Sequence, residues 1–177
     1  MFGLFGKSKP YKVLDKVWIS KAAKYAACAK MLQVNPDSLF ITWFDETRDE
    51  LKALLSGTAP VYKADQLGTI SAQGRMLMFA EHHPLLAKEE MVFETLGLKE
   101  IPVLSGLDEP IFRKFGGERL IDIMRKLGVD ENEVLGHSMI TKSIERAQRK
   151  LQEKVITEQS AKSQEEWFAL NFGMSHE

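Results

Sequence analysis

Short apolar segments and amphipathic segments alternate along the first hundred residues of the chain. Leu39–Phe44 and Arg75–Ala80 are apolar almost throughout, which is typical of strands that are covered on both faces. Ile101–Ser105 predicts another buried strand, Tyr11–Ser20 a short first strand and Val61-Tyr62 an edge strand.

The segments between these strands carry apolar residues at helical spacing. Lys21–Gln33 has a face of small residues suited to packing on a sheet, and Pro84–Leu96 has a broader apolar face. A further helix is expected from Asp45 to the glycine at Gly57, whereas Asp65–Gly74 is expected to be a loop. Strands that alternate with helices of this length predict parallel pairing and a small three-layer α/β sandwich.

From Leu107 onward the pattern is helical. A short apolar turn is interrupted by Gly116-Gly117, and a second amphipathic helix stops at Gly128. A long final helix is expected to begin near Ser138, because apolar residues then recur every three or four positions. Its apolar stripe consists of Ile140, Ile144, Ala147, Leu151 and Val155.

These patterns divide the chain into three parts. Residues 1–10 are expected to form a flexible tail, residues 11–136 the α/β domain, and residues 137–177 a long C-terminal helix with its own tail. In that last part, Thr157–Glu166 is polar all round, whereas Trp167–Phe172 is too apolar to be left in water.

Composition narrows the class of protein. Of the 177 residues, 44% are hydrophobic and 28% charged, which argues against disorder, and the formal net charge of −1 provides no global attraction for nucleic acid. No apolar run approaches the roughly 20 residues that cross a bilayer, so we expect a cytoplasmic protein without stable membrane insertion. The single cysteine, Cys28, lies in a predicted helix and is expected to be a buried thiol.

Two features near the start of the chain have simpler explanations than function. Gly6–Ser8 resembles the end of a phosphate-binding loop, but no strand precedes it and Pro10 follows. Phe2, Leu4 and Phe5 are apolar, yet one short segment binds a membrane surface only weakly, and a frayed terminus is the expectation.

One long stretch has a specific resemblance. It reads LSGLDEPIFRKFGGERLIDIMRKLG over Leu104–Gly128 and continues as VDENEVLGHSMITKSIERAQRKL over Val129–Leu151. Its order of final strand, acidic turn, F-G-x-x-R helix and H-S-M-I-x-K-S-I-E-x-A-Q-R-K helix resembles SecA, the ATPase motor of bacterial preprotein translocation. Leu39–Leu55 and Pro60–Asp65 are similar to the same family more weakly.

The resemblance implies a reduced RecA-like fold that leads into a helical scaffold. In SecA, a Gly-Arg-Gly-Thr-Asp loop and an R-G-R-x-G-R-Q-G segment supply groups for ATP, and neither motif is present in this sequence, nor is a Walker motif. Because ATP hydrolysis needs a phosphate cradle, a magnesium carboxylate and a group that orients water, we expect no autonomous ATPase activity and no cofactor. The alternative is weak binding of a nucleotide or small ligand in the cleft where the RecA-like fold of SecA binds ATP.

Polar residues that follow the predicted strands are the candidate ligand site. Glu81, His82 and His83 follow one strand and Asp108 follows another, at the edge where α/β proteins bind ligands. Neighbouring histidines on an extended chain point to opposite sides, which disfavours a shared metal ion. The acidic residues are better explained as helix N-terminal stabilisers, and a small hydrolase built on these groups is the least favoured alternative.

The C-terminal helix provides the strongest interaction signal. Its apolar stripe must fold back on the α/β body, pair with a second copy or bind another protein. Lys142, Arg146, Arg149 and Lys150 are interleaved with glutamates, which favours a solvated face and not nucleic-acid binding. We therefore expect a protein-interaction or regulatory module. The candidate interaction residues are Ile140, Ile144, Leu151, Val155, Trp167, Phe168 and Phe172.

Overall fold

A computed structural model describes residues 8–69 and 72–173. Within these residues one sheet has the strand order β1-β5-β4-β2-β3, and every pairing is parallel. The predicted α/β sandwich is therefore confirmed, with β1 and β3 at the two edges. The strands are β1 (Lys12–Trp18), β2 (Ser38–Thr42), β3 (Val61–Lys63), β4 (Met76–Phe79) and β5 (Glu100–Gly106).

The helices follow the predicted order, with two differences: the segment expected to be a C-terminal tail contains a further helix, Gln164–Phe172, and a predicted loop is partly helical. Part of the segment expected to be a loop forms a 3₁₀ helix, Ala64–Thr69, beside a bond from the Lys63 N–H to the side-chain oxygen of Gln66 (2.9 Å). That local bond supports a tight turn, which hydrophobic periodicity does not reveal. The α-helices are α1 (Lys21–Val34), α2 (Asp45–Leu55), α3 (Leu86–Leu96), α4 (Pro110–Arg113), α5 (Gly117–Lys126), α6 (Ser138–Lys154) and α7 (Gln164–Phe172).

Two cores lie on opposite faces of the sheet, because successive side chains of a strand point to opposite sides. Phe40 and its neighbours across the sheet pack with α1 and α2, whereas Leu39 and its neighbours pack with Phe93 of α3. Cys28 of α1 is fully buried in the first core, and burial raises the pKa of its thiol to about 12. The thiol therefore fills space as a small apolar group.

Glycines allow two close approaches around β5. A Cβ atom on Gly106 would lie 2.4 Å from the backbone nitrogen of Lys21, so only glycine lets the end of β5 meet the start of α1. Gly116 has a φ of +85°, and a Cβ atom on Gly117 would lie 2.5 Å from the carbonyl oxygen of Leu107. These two residues therefore separate α4 from α5, as the sequence predicts.

The C-terminal part returns to the body of the protein. The long helix α6 begins at Ser138, as predicted, and packs against α3 and β1. Ser163 caps α7 by accepting a bond from the Glu166 N–H (3.0 Å), and α7 packs on α4. Trp167 of α7 is fully buried in a third core with Phe44 and Leu151.

The expectations for Gly6–Ser8 and for Phe2, Leu4 and Phe5 lie outside the described residues, apart from Ser8, and stay predictions. In the part of the chain that the structure describes, no helix is long and apolar enough to span a bilayer.

Replacing Trp167 with alanine tests whether α7 belongs to the folded core. Removing this fully buried side chain is expected to lower the free energy of unfolding by about 3–5 kcal/mol, because a large cavity remains. Leu170→Ala on the same helix is the matched control, since Leu170 is 41% exposed, and it is expected to cost under about 1 kcal/mol. Urea unfolding measures both free energies. A loss of stability for Trp167→Ala no larger than that for Leu170→Ala would show that α7 is not part of the folded core.

Candidate functional site

The carboxyl ends of β2 and β4 meet at the position where parallel α/β sheets usually bind ligands. These strands are neighbours, but β2 continues into α2 on one face of the sheet and β4 leads to α3 on the other. Connections that leave in opposite directions open a crevice between the strands. The predicted residues Glu81, His82 and His83 follow β4 directly and therefore lie at this crevice.

Glu81 joins the two strand ends. Its Oε1 accepts bonds from the backbone N–H groups of Trp43 (2.8 Å) and Phe44 (2.9 Å), and its Oε2 accepts from the hydroxyl of Thr47 (2.7 Å). Burial of the carboxyl raises the pKa of Glu81 to about 7, because removal from water outweighs the hydrogen bonds that favour the anion. Glu81 is thus a structural bridge that titrates near neutral pH.

His82 lies between two buried carboxylates. Its Nε2 is 2.6 Å from Oδ1 of Asp15 on β1, and its Nδ1 is 2.8 Å from Oε1 of Glu89 on α3. Burial alone would lower the pKa of His82, but the charges of Glu89 and Asp15 raise it well above the ordinary value. Gln148 of α6 donates a further bond to Glu89 (2.9 Å), so β1, α3 and α6 share one polar cluster.

His83 turns away from His82 and enters an aromatic environment. Its ring stacks on Phe44 at 5.7 Å between centroids and meets Trp167 edge-on at 6.1 Å. Its Nδ1 accepts a bond from the Leu85 N–H (3.0 Å), and its Nε2 lies 3.2 Å from Glu158. The two histidines therefore have separate partners on opposite sides of the chain.

Glu158 connects His83 to the segment between α6 and α7. Burial would raise the pKa of Glu158, but hydrogen bonds from His83, Lys88 and Trp167 lower it to about 2. The indole N–H of Trp167 donates to the Glu158 carboxylate at 2.8 Å. Glu158 thus stays ionised at neutral pH and fixes the path of the C-terminal segment.

A buried ion pair at the same edge could not be recognised from the sequence pattern. Lys24 of α1 is fully buried, pairs with the carboxylate of Glu109 and donates to the carbonyl oxygen of Ala80 (2.7 Å). Glu109 also accepts a bond from the Gly106 N–H (3.0 Å). Helical spacing places Lys24 on the side opposite the predicted small-residue face, so nothing in the sequence pattern indicated that it would be buried.

Asp108 has a structural partner. Its Oδ1 accepts a 2.6 Å bond from the backbone N–H of Lys21, in the first turn of α1. The acidic residue therefore stabilises a helix N-terminus, although the helix is α1 and not the one that follows Asp108 in the chain.

The chain's own C-terminal segment fills the crevice. Gln164 donates to the carbonyl oxygen of His82 (3.1 Å), and the Glu46 N–H donates to the carbonyl oxygen of Lys162 (2.9 Å). Trp167 packs over Phe44 in the same place. The position that a ligand would occupy in a related architecture therefore holds protein side chains.

The predicted interaction residues divide into two groups. Ile140 and Ile144 lie on the side of α6 that faces α5. Ile140 also packs on the core that contains Ile121, and Ile144 is buried. The other five belong to the third core, which is the fold-back arrangement among the alternatives for the C-terminal part; they are Leu151, Val155, Trp167, Phe168 and Phe172. Binding of a second protein through any of the seven stays a prediction.

An open apolar groove of about 650 Å³ runs between α5 and α6. Ile123 on its α5 wall is 43% exposed, and Met139 on its α6 wall is 69% exposed. Apart from Val17, its lining residues all lie between Leu107 and Ala147, within the stretch that resembles SecA. We call this feature the α5–α6 groove. Its walls are formed chiefly by Leu120, Ile123 and Met124 of α5 and by Met139, Ile140 and Ala147 of α6.

The charged groups of the polar cluster pair with one another, although Oδ2 of Asp15 and Oε1 of Gln148 are buried without a hydrogen-bond partner in the described part of the chain. In residues 8–69 and 72–173, no group of three or more histidine, cysteine or acidic side chains is placed to hold a metal ion. What the arrangement does is connect strands to helices, since each of Glu81, His82 and His83 reaches a different element.

Glu81→Gln is expected to flatten the pH dependence of stability. Above its ordinary pKa of 4.5 the unfolded Glu81 loses its proton, whereas the folded group keeps it until about pH 7, so rising pH costs stability across that window. The amide oxygen of glutamine can keep the two bonds from the backbone N–H groups, and its N–H group can donate to the Thr47 hydroxyl in the reverse direction, without this cost. The variant should gain up to about 3 kcal/mol over the natural protein at pH 8 and little at pH 4.5.

Urea unfolding between pH 4.5 and 8 measures this difference, and Glu118→Gln is the control because Glu118 is exposed on α5. A natural protein whose stability relative to Glu81→Gln does not change with pH would contradict the raised pKa.

His82→Leu is expected to lower the free energy of unfolding by about 3–5 kcal/mol near pH 5, because it leaves the carboxylates of Asp15 and Glu89 buried without a cation. Because the pKa of His82 is raised on folding, the charge of His82 stabilises the folded state fully below about pH 6.5. This stabilisation is lost as the pH rises through the folded pKa. Because the pKa of Asp15 is lowered on folding, the Asp15 carboxylate stabilises the folded state above about pH 4. This stabilisation is lost as the pH falls through the folded pKa.

His137→Asn is the control for His82→Leu. His137 is exposed, and its ring nitrogen accepts a bond from the Met139 N–H (3.1 Å) at the start of α6, a role that asparagine can keep. If the two variants lose equal stability in urea unfolding, the buried imidazolium does not hold the cluster together.

Comparison with known proteins identifies a relationship over part of the chain. No model of a known protein family matches it. A segment of 47 residues is 57% identical to protein translocase subunit SecA of Chlorobium phaeobacteroides, 55% identical to that of Chlorobaculum tepidum and 53% identical to that of Chloroherpeton thalassium.

The match has a limited extent. It covers 27% of this chain, and the chain spans only about 5% of the length of the curated relatives it matches. The length and identity of the match confirm the resemblance seen in the sequence. The chain is therefore a SecA-related protein that resembles one part of SecA.

Proposed function

We propose that this chain is a non-enzymatic protein-interaction module that binds a segment of another protein in the α5–α6 groove. The observation that carries the proposal is the exposure of apolar side chains along the groove, including Phe115 (44%), Ile123 (43%) and Met139 (69%). A continuous exposed apolar surface is costly in water and usually marks a site of interaction. Two helices form its walls, an arrangement that suits a third helix.

The carboxyl edge of the sheet supports an interaction role over ligand binding. Backbone N–H groups at strand ends are the usual donors to phosphate. Here those of Trp43 and Phe44 already donate to Glu81, and Lys24 is already paired with Glu109. A nucleotide would need to displace Trp167 and break these bonds.

The names of the relatives suggest where to look for the partner. They are protein translocase subunits, so proteins of the translocation machinery are the first partners to test.

A helical peptide tests whether the groove binds protein. The probe is an amphipathic peptide of about 15 residues, constrained to be helical, with leucines at i, i+3, i+4 and i+7 and glutamines elsewhere. We expect micromolar binding by fluorescence anisotropy. Ile123→Glu should weaken peptide binding at least about tenfold, because the new charge on the α5 wall of the groove must lose its water when the peptide binds.

Leu54→Glu is the matched control, since Leu54 is 55% exposed on α2, away from the groove, and receives the same substitution. Binding that neither variant changes, or no binding, would overturn the groove as a protein site. The molar mass in solution gives the second readout: a dimer that Ile123→Glu dissociates would mean that the occupant is a second copy.

A further inference from the structure

We propose that the partner of the α5–α6 groove is an amphipathic helix with acidic side chains beside its apolar face. This inference rests on the proposed function, because it specifies the chemistry of what the groove binds. Three features of the described residues carry it: the shape of the groove, the cations beside it and the absence of ion pairs at those cations.

The shape of the groove fits about two turns of helix. The α6 wall extends from Met139 to Ala147, which at 1.5 Å per residue is about 12 Å. A helix presents apolar side chains at i, i+3 or i+4, and i+7 over a similar length. Most of the lining residues are aliphatic, which favours the apolar face of a protein helix over the bases of a nucleic acid.

One cation lines the groove, and three others lie beyond its lining residues, at the end of α4 and along α6. Arg119 of α5 lines the groove directly. On α6, Lys150 and Lys154 lie three and seven residues beyond Ala147, which places them on the same side of the helix. The ammonium groups of Lys154 and Lys114 lie 5.5 and 5.9 Å from the centre of the Phe172 ring, so these two cations converge on one point. We call these four residues the basic rim.

The charge of the basic rim is not compensated within the described part of the chain. None of its four cations has a carboxylate oxygen within 4.0 Å there, and all four side chains are exposed. Glu118 and Glu153 are exposed and lie beside Arg119 and Lys154 in the sequence, but among the described residues neither of them forms an ion pair with the basic rim. Acidic side chains on a bound helix would therefore find free cations beside an apolar surface, where water screens them less.

A second copy of the chain is a poorer occupant. In a two-fold interface each groove would present its own basic rim to its partner, and like charges would approach one another. Juxtaposed like charges oppose such an interface, whereas an acidic helix is attracted to it.

The test compares two peptides that share the leucine face of the probe above. One carries glutamate at the flanking positions and the other carries lysine. We expect the glutamate peptide to bind about three- to tenfold more tightly at low salt, with the preference shrinking as ionic strength rises. The double variant Arg119→Gln, Lys150→Gln should remove the preference.

The matched control is Lys142→Gln with Arg149→Gln, which removes one lysine and one arginine from the side of α6 that faces away from the groove. Both residues are exposed, and this variant should keep the preference. Thermal unfolding of each variant verifies that the fold is intact before affinities are compared.

The outcomes separate the two proposals. If both peptides bind equally and Ile123→Glu abolishes both, the groove binds helices but the acidic partner is wrong. If neither peptide binds, or Ile123→Glu changes neither, the proposed function fails. A single-stranded oligonucleotide that binds more tightly than the glutamate peptide and depends on Arg119 and Lys150 would replace the acidic helix with a nucleic acid.

Discussion

The imidazolium of His82 joins three layers of the molecule. Asp15 belongs to the edge strand β1, Glu89 to α3 on one face of the sheet, and Gln148, bonded to Glu89, to the long helix α6. Removing His82 would leave two buried carboxylates without a cation in a place that water does not reach. The position of α6, and with it one wall of the α5–α6 groove, therefore depends on a proton shared among buried side chains.

The protein has closed the usual binding edge of an α/β sheet and left a different surface open. The space above β2 and β4 is occupied by Trp167, Gln164 and Glu158. Gln164 donates to the carbonyl oxygen of His82, Trp167 donates to Glu158, and Glu158 pairs with His83. In contrast, the groove between α5 and α6 retains apolar side chains in contact with water. A chain that resembles one part of SecA thus has a filled sheet edge and an exposed apolar surface on its helices.

Much of the framework was predictable because it depends on local pattern. Leu39–Phe44 and Arg75–Ala80 showed strands covered on both sides, and Gly116-Gly117 showed a break that the structure has.

Contacts between distant residues were not predictable in the same way. The pairing of Lys24 with Glu109 and the bond of Asp108 to Lys21 join residues far apart in the chain, which no periodicity encodes. The packing of Trp167 on Phe44 depends on a return of the chain after a polar segment, and hydrophobicity alone predicted only that it would be covered.

The position of β1 has a consequence for the order of folding. Lys12 pairs with Glu100, so the first strand finds its place beside the last strand of the sheet and not beside its neighbour in the chain. Closing so long a loop costs several kcal/mol of chain entropy before any hydrogen bond of that pair forms. The hydrogen-bonded ribbon of β2, β3 and β4 involves shorter closures and is expected to assemble earlier. Docking of β1, which brings Asp15 to His82, is then expected to be a late step in folding.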